Sequence, residues 1–214
     1  MKENLTKIVF ILDRSGSMQH LTSDTIGGFN GFIEQQKKED GEALLTTVLF
    51  DDIYEVLHDN VPIEAVKPLT GKEYFARGMT ALLDAVGKTI NTVGGQLSAM
   101  QECDRPSKVI FVITTDGMEN ASREFTHAKI KEMIGHQTNV YSWQFLFLGA
   151  NIDAVAAAEG IGIKADFATN YNADSAGTGR MYATVSRSVG SFRHSGIVDK
   201  DWSAGIEEDK KGNA

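Results

Sequence analysis

The sequence predicts an α/β fold: a doubly wound, Rossmann-like open sheet of about six strands, one edge strand antiparallel, with helices on both faces. Three observations carry this prediction. Two short apolar runs, Ile8-Val9-Phe10-Ile11-Leu12 and Val109-Ile110-Phe111-Val112-Ile113, have the composition of strands buried on both faces. Segments with apolar residues at helical spacing lie between the strand candidates, as crossover units require. The Asp51-Asp52 turn joins two strand-like segments and is too short for a parallel crossover, so that pair is a hairpin.

The elements follow in order. A strand at 7–12 leads to a helix at about 22–39, which Thr22, Ser23 or Asp24 can cap and in which Ile26, Phe29 and Ile33 share a face. Gly27, Gly28 and Gly31 weaken that helix, so burial against the sheet has to hold it. Strand 43–50 turns at Asp51-Asp52 into the alternating segment 53–58, the antiparallel edge. After a loop from Pro62 to Gly71, a helix runs from 80 to about 93, with Leu82, Val86, Ile90 and Val93 on one side, and Gly94-Gly95 interrupt it. Strand 108–114, helix 123–136, strand 139–147, a short helix at 152–159 headed by Asn151, and a weak strand at 164–168 follow. The final helix, 174–194, lines up Met181, Val185, Val189 and Phe192. Residues 1–198 form one domain, and 199–214, with the run Glu207-Glu208-Asp209-Lys210-Lys211, form a polar C-terminal tail.

Composition narrows the function. The chain has 214 residues, 42% of them hydrophobic and 23% charged, as expected for one globular domain. A formal charge of −8 argues against nucleic acid or an anionic membrane as the main partner, because both require clustered Lys and Arg. Cys103 is the single cysteine, which excludes an internal disulfide and a cysteine-based zinc site. The N-terminal apolar run ends at Asp13 after five residues, shorter than a signal peptide needs, and no stretch approaches the ~20 apolar residues of a membrane span. A cytoplasmic protein is the expectation.

Chemistry concentrates where strands end. Asp13, Ser15 and Ser17 follow the first buried run at alternate positions, placing one carboxylate and two hydroxyls at a strand's carboxyl end. Such hard oxygen donors suit magnesium, manganese or calcium. The second run ends in Thr114-Thr115-Asp116-Gly117, and between the two lies Arg77-Gly78-Met79-Thr80, with Thr80 at the threshold of a helix. Right-handed crossovers place the two runs side by side where the winding reverses, the usual ligand edge of such sheets. Each piece alone has a plainer reading: Asp13 with its serines as a loop or helix cap, Thr80 as an N-cap, Asp116-Gly117 as a turn.

Taken together, these residues resemble the metal-ion-dependent adhesion site (MIDAS) of von Willebrand factor type A (VWA) domains, of an intracellular bacterial or phage type. The resemblance covers roughly residues 5–195 in element order. It implies that Asp13, Ser15, Ser17, Thr80 and Asp116 surround one divalent cation, magnesium ahead of manganese or calcium. It also implies an open coordination position that a partner's Asp or Glu fills, so that the chain is a metal-dependent protein-binding module and not an enzyme. A neutral first shell, two carboxylates against one divalent ion, leaves the ion electrophilic toward that outside carboxylate. In some relatives the C-terminal helix shifts with the metal ligand, which makes 174–194 a candidate switch element. An alternative is an accessory subunit of a chelatase- or MoxR-like AAA+ ATPase. A magnesium-dependent phosphohydrolase with Asp13 as nucleophile is disfavoured, because Ser15 stands where such enzymes place an acid/base aspartate and no other general acid or base is visible.

Other candidates carry less. Gly160-Ile161-Gly162-Ile163-Lys164-Ala165 has a dinucleotide-loop spacing but links a helix to a strand, the wrong order. There is no P-loop and no Gly-x-Ser-x-Gly elbow. His20, His58, His127, His136 and His194 lack ligand spacing, and Trp143 fits a core position. Arg14 and Arg77 flank the expected site, either paired with acids such as Glu73 or Glu119 or steering an incoming carboxylate.

Overall fold

The computed structural model describes residues 1–206. Eleven regular elements alternate along them. They are β1 (Lys2–Asp13), α1 (Thr22–Gln36), β2 (Glu42–Phe50), β3 (Tyr54–Pro62), α2 (Leu82–Ala99), β4 (Pro106–Thr115), α3 (His127–Tyr141), β5 (Gln144–Gly149), α4 (Ala154–Gly160), β6 (Ala168–Asn170) and α5 (Ser175–Ser195). The strands form one six-stranded sheet in the order β3-β2-β1-β4-β5-β6, and only the edge pair β2/β3 is antiparallel.

Strand alternation sorts the core into two layers. Ile8, Phe10 and Leu12 point to the side covered by α1 and α5, where Phe29, Phe32, Val185 and Phe192 pack. Val9 and Ile11 point to the side covered by α2 and α3, with Val86, Ile90 and Ile134. The winding reverses between β1 and β4, paired in parallel from Thr6↔Lys108 to Leu12↔Thr114, so both strands deliver their carboxyl ends to one edge.

Several boundaries differ from the sequence reading, each for a physical reason. α2 continues through Gly94-Gly95 to Ala99, because Val93 and Leu97 keep the helix packed on the sheet. α3 starts at His127, not 123, because the amides of Arg123, Glu124 and Phe125 donate to the Asp84 carboxylate. It then runs through Tyr141 and closes at Ser142 in the left-handed conformation (φ 57°), so residues 139–143 are not strand. Apolar Val140 and Tyr141 imitate strand residues there, yet both are exposed. Asp153, not Asn151, caps α4, and β6 follows a 3-10 turn at Ala165–Phe167.

The segment after residue 198 is partly core. Val198, Trp202 and Ile206 are buried on the α1/α5 side, and the Trp202 indole donates to the Asp166 carbonyl at 2.7 Å. The acidic run at 207–211 lies outside the described residues. No helix among the described residues is long and apolar enough to cross a membrane.

Candidate metal centre

β1 delivers Asp13 fully buried at the sheet edge. Its Oδ1 accepts the Ser15 amide at 2.7 Å and its Oδ2 accepts the Thr115 hydroxyl at 2.5 Å. Tyr74 donates to the Asp13 carbonyl at 2.6 Å and fixes the backbone there. The chain then turns into a 3-10 segment that brings the Ser15 and Ser17 hydroxyls within 3.1 Å of each other. Ser17 donates in turn to Asp116 Oδ1, just beyond β4.

Thr80 arrives from a separate loop, which backbone bonds lace to β1 and β2: Gly16 to the Gly78 carbonyl, Arg77 to the Arg14 carbonyl and Ala81 to the Asp51 carbonyl. Gly78 takes φ +67°, a left-handed turn that glycine adopts at no steric cost. Asn120 clamps Thr80 from the other side, accepting its amide at 2.9 Å and donating to its carbonyl at 3.0 Å.

These connections converge on Gly117. A Cβ built there would stand 3.0 Å from the Thr80 hydroxyl oxygen, 3.3 Å from that of Ser17 and 3.9 Å from that of Ser15. The three hydroxyls thus face a small space that glycine leaves open. Asp116 Oδ2 is buried and has no hydrogen-bond partner. Ser17 is exposed whereas Asp13, Ser15, Thr80 and Asp116 are buried, so the cradle opens to solvent on the Ser17 side. All five residues singled out from the sequence meet here.

The electrostatics match that geometry. Burial pushes the Asp13 carboxyl up to about 6; bonds from Thr115 and Ser15 oppose the rise and nearby Asp116 adds to it. Burial also raises Asp116, against the Ser17 bond. Among the described residues no three His, Cys, Asp or Glu side chains gather at one point. A cation placed here would meet two carboxylates, Asp13 and Asp116, and three hydroxyls, those of Ser15, Ser17 and Thr80. That donor set is hard, carries −2, includes an unpartnered carboxylate oxygen, and fits a divalent ion of the magnesium or manganese kind.

Arg14 and Arg77 converge on a different acid from those the sequence suggested. Both donate to Asp51 Oδ2, at 3.1 and 2.7 Å, and Arg14 also pairs with Glu55 at 2.8 Å. Glu119 instead accepts the Leu83 and Ser122 amides, and Glu73 accepts from Thr70. Arg14 is buried, so its charge is spent inside the fold. Sequence reasoning missed Thr115, Asn120 and Tyr74, which position the cluster. Thr115 had one visible signal, its place directly before Asp116 at a strand end.

The sequence matches no family model and none of the curated proteins. Solved structures do match in three dimensions. Proximal thread matrix protein 1 from the mussel byssus, solved with a zinc-occupied MIDAS motif, superposes with TM-score 0.59 at 14% identity, over 84% of this chain and 46% of its own. The fold is that of a von Willebrand factor type A domain. The von Willebrand factor type A protein from Catenulispora acidiphila gives TM-score 0.56 at 14% identity, over 86% and 42% of the two chains. Manganese-loaded TRAP protein from Plasmodium vivax gives 0.54 at 15%, over 82% and 72%. The chain spans under half the length of the mussel and Catenulispora proteins.

Proposed function

We propose that this chain is a divalent-cation-dependent protein-binding module, with Asp13, Ser15, Ser17, Thr80 and Asp116 as the residues that hold the ion. The observation that carries the reading is the hydroxyl cradle around Gly117, flanked by a buried carboxylate oxygen with no partner. A bound cation supplies a Lewis-acidic centre that an outside carboxylate can join. The protein's own residues do the rest. Thr115 and the Ser15 amide orient Asp13, Asn120 holds Thr80, and the exposed Ser17 side leaves an approach for the partner. Solved VWA folds with zinc- or manganese-occupied sites support the reading by analogy of fold.

The same reading makes the chain a binder and not a catalyst, with magnesium the expected ion and the cytoplasm the expected compartment. Burial lifts the Tyr74 and Tyr171 hydroxyls beside the cluster well above their usual range, so neither exchanges a proton near neutrality. Titration calorimetry with magnesium, manganese and calcium tests the ion; heat that Asp13→Ala abolishes is the expected result. Partner capture from lysate in magnesium, lost in EDTA and in Asp13→Ala, tests the function. No Asp13-dependent heat with any of the three ions overturns the proposal.

A further inference from the structure

The five candidate ligands reach the cluster by unequal routes. Asp13 ends β1, Ser15 and Ser17 follow it directly, and Asp116 stands next to the last residue of β4. Thr80 comes differently: residues 66–81, which deliver it, contain neither helix nor strand. Its hydroxyl is therefore placed by ties from neighbouring elements. Asn120 supplies those on the Asp116 side. On the side of the β2/β3 turn the ties run to Asp51, the first residue after β2.

Asp51 is buried, and both of its carboxylate oxygens are engaged. Oδ1 accepts the Ile53 amide at 2.5 Å and closes the turn after β2. Oδ2 accepts both Arg14 Nε and Arg77 Nε, at 3.1 and 2.7 Å. Its backbone carbonyl accepts the Ala81 amide at 3.0 Å. These ties bracket Thr80, from Arg77 ahead of it to Ala81 directly after it. They also reach the other loop, because Arg14 lies between Asp13 and Ser15.

The charges explain why a carboxylate stands there. The Arg77 amide donates to the Arg14 carbonyl at 2.8 Å, so the two arginines are neighbours, and the Arg14 side chain is only 1% exposed. Like charges brought together where little solvent enters repel. Glu55 pairs with Arg14 at 2.8 Å from a half-exposed position, and the buried Asp51 carboxylate is shared by both guanidinium groups. An uncharged side chain of the same shape would leave that repulsion to push the two loops apart. The cradle spans the same seam. The Gly16 amide, between Ser15 and Ser17, donates to the Gly78 carbonyl at 3.1 Å, and the Thr80 and Ser17 hydroxyls lie 3.0 and 3.3 Å from one point at Gly117.

We infer that Asp51 is a positioning residue of the metal centre, whose buried negative charge holds the Thr80 loop against the Asp13–Ser17 loop and so keeps the Thr80 hydroxyl in the ligand set. This rests on the metal-dependent reading above and adds to it a residue that acts through the two arginines and Ala81.

A double-mutant cycle read by manganese titration calorimetry on the full chain tests this. Asp51→Asn keeps the shape, removes the charge and should cost about tenfold in manganese affinity. In a Thr80→Ala background the same substitution should cost less than about twofold, because the ligand it serves is gone. A residue that merely stabilises the fold would cost the same in both backgrounds. Arg77→Gln, at a partly exposed side chain, unties only the Thr80 loop and leaves Arg14 paired with Asp51. It should cost about threefold, and that loss should likewise vanish without the Thr80 hydroxyl. If Asp51→Asn does not fold, the Arg77→Gln cycle decides alone. Equal losses with and without the Thr80 hydroxyl, or no loss in either variant, overturn the inference and leave the metal-dependent reading standing. No manganese heat from the parent chain overturns both.

Discussion

The Thr115 hydroxyl donates to Asp13 Oδ2 at 2.5 Å, tying the last residue of β4 to the last residue of β1 across the reversal point of the sheet. With the Ser15 amide on Oδ1, both carboxylate oxygens are held, and each keeps a lone pair for a cation. Thr115→Val preserves shape and removes the donor. Calorimetry should show the divalent-ion affinity falling by about 10–100-fold, the usual cost of losing a positioning partner, with the circular dichroism spectrum unchanged.

Ion binding should be visible as stability. Binding to the folded chain alone adds about 2.7 kcal/mol at a hundredfold excess over the dissociation constant. For a chain of this length, that is a rise in Tm of roughly 5–10 °C. Asp13→Asn should abolish the rise and melt higher than the parent chain in EDTA at neutral pH, because it removes a buried charge and keeps the shape. A parent-like shift in the variant would remove Asp13 from the ligand set.

If Asp13 holds the ion as proposed, protons and metal compete there. Its folded-state pKa, pushed up to about 6, lies above the ordinary 3.8, so the folded state holds the proton more tightly than the unfolded chain does. In EDTA the associated stability is fully present below pH 3.8 and is lost as pH rises to about 6. Urea midpoints should therefore fall across that window, and the fall should shrink in Asp13→Asn. With saturating magnesium the sign reverses, since the ion requires the ionised carboxylate.

Lys7 gives a second pH test, far from the cluster. It is fully buried in β1, donates to Thr46 and Asn60 at 2.6 Å each, and burial lowers its pKa to about 8, with Asp59 opposing. The folded state releases this proton earlier than the unfolded chain, so the cost of the buried charge is present below pH 8 and is relieved as pH rises toward 10.5. Urea midpoints of the parent chain minus those of Lys7→Met should climb through that interval. A flat difference would mean that Lys7 holds its proton as tightly in the fold as in the unfolded chain.

The architecture was legible because burial on both faces leaves an uninterrupted signature in β1 and β4, and because a two-residue turn permits only a hairpin. The convergence of the five candidate residues was legible because strand ends and a helix start are themselves readable positions; their grouping as one set came from the resemblance to the MIDAS motif. The errors fell where local chemistry imitates something else. Val140-Tyr141 has strand composition in an exposed last helical turn, and Gly94-Gly95 breaks helical propensity without breaking the packing of Val93 and Leu97. Trp202 and Ile206 escaped notice because two apolar residues in a polar stretch carry no periodicity. The pairing of Arg14 and Arg77 with Asp51 is a tertiary fact, where the sequence reading named Glu73 and Glu119.

Gly28 leaves a notch in α1, and the Tyr182 ring of α5 fills it: a Cβ at Gly28 would lie 2.1 Å from that ring. Tyr182 stacks on Phe10 of β1, which also meets Phe29 and Phe32 edge-on. Farther along, Arg193 donates to the carbonyls of Gln36 and Gly41, where α1 gives out. α5 is thus pinned at two points, by Tyr182 in the Gly28 notch and by Arg193 at the end of α1. β1 ends at Asp13. Packing therefore joins the last helix to the strand that carries that carboxylate, through the rings of Tyr182 and Phe10.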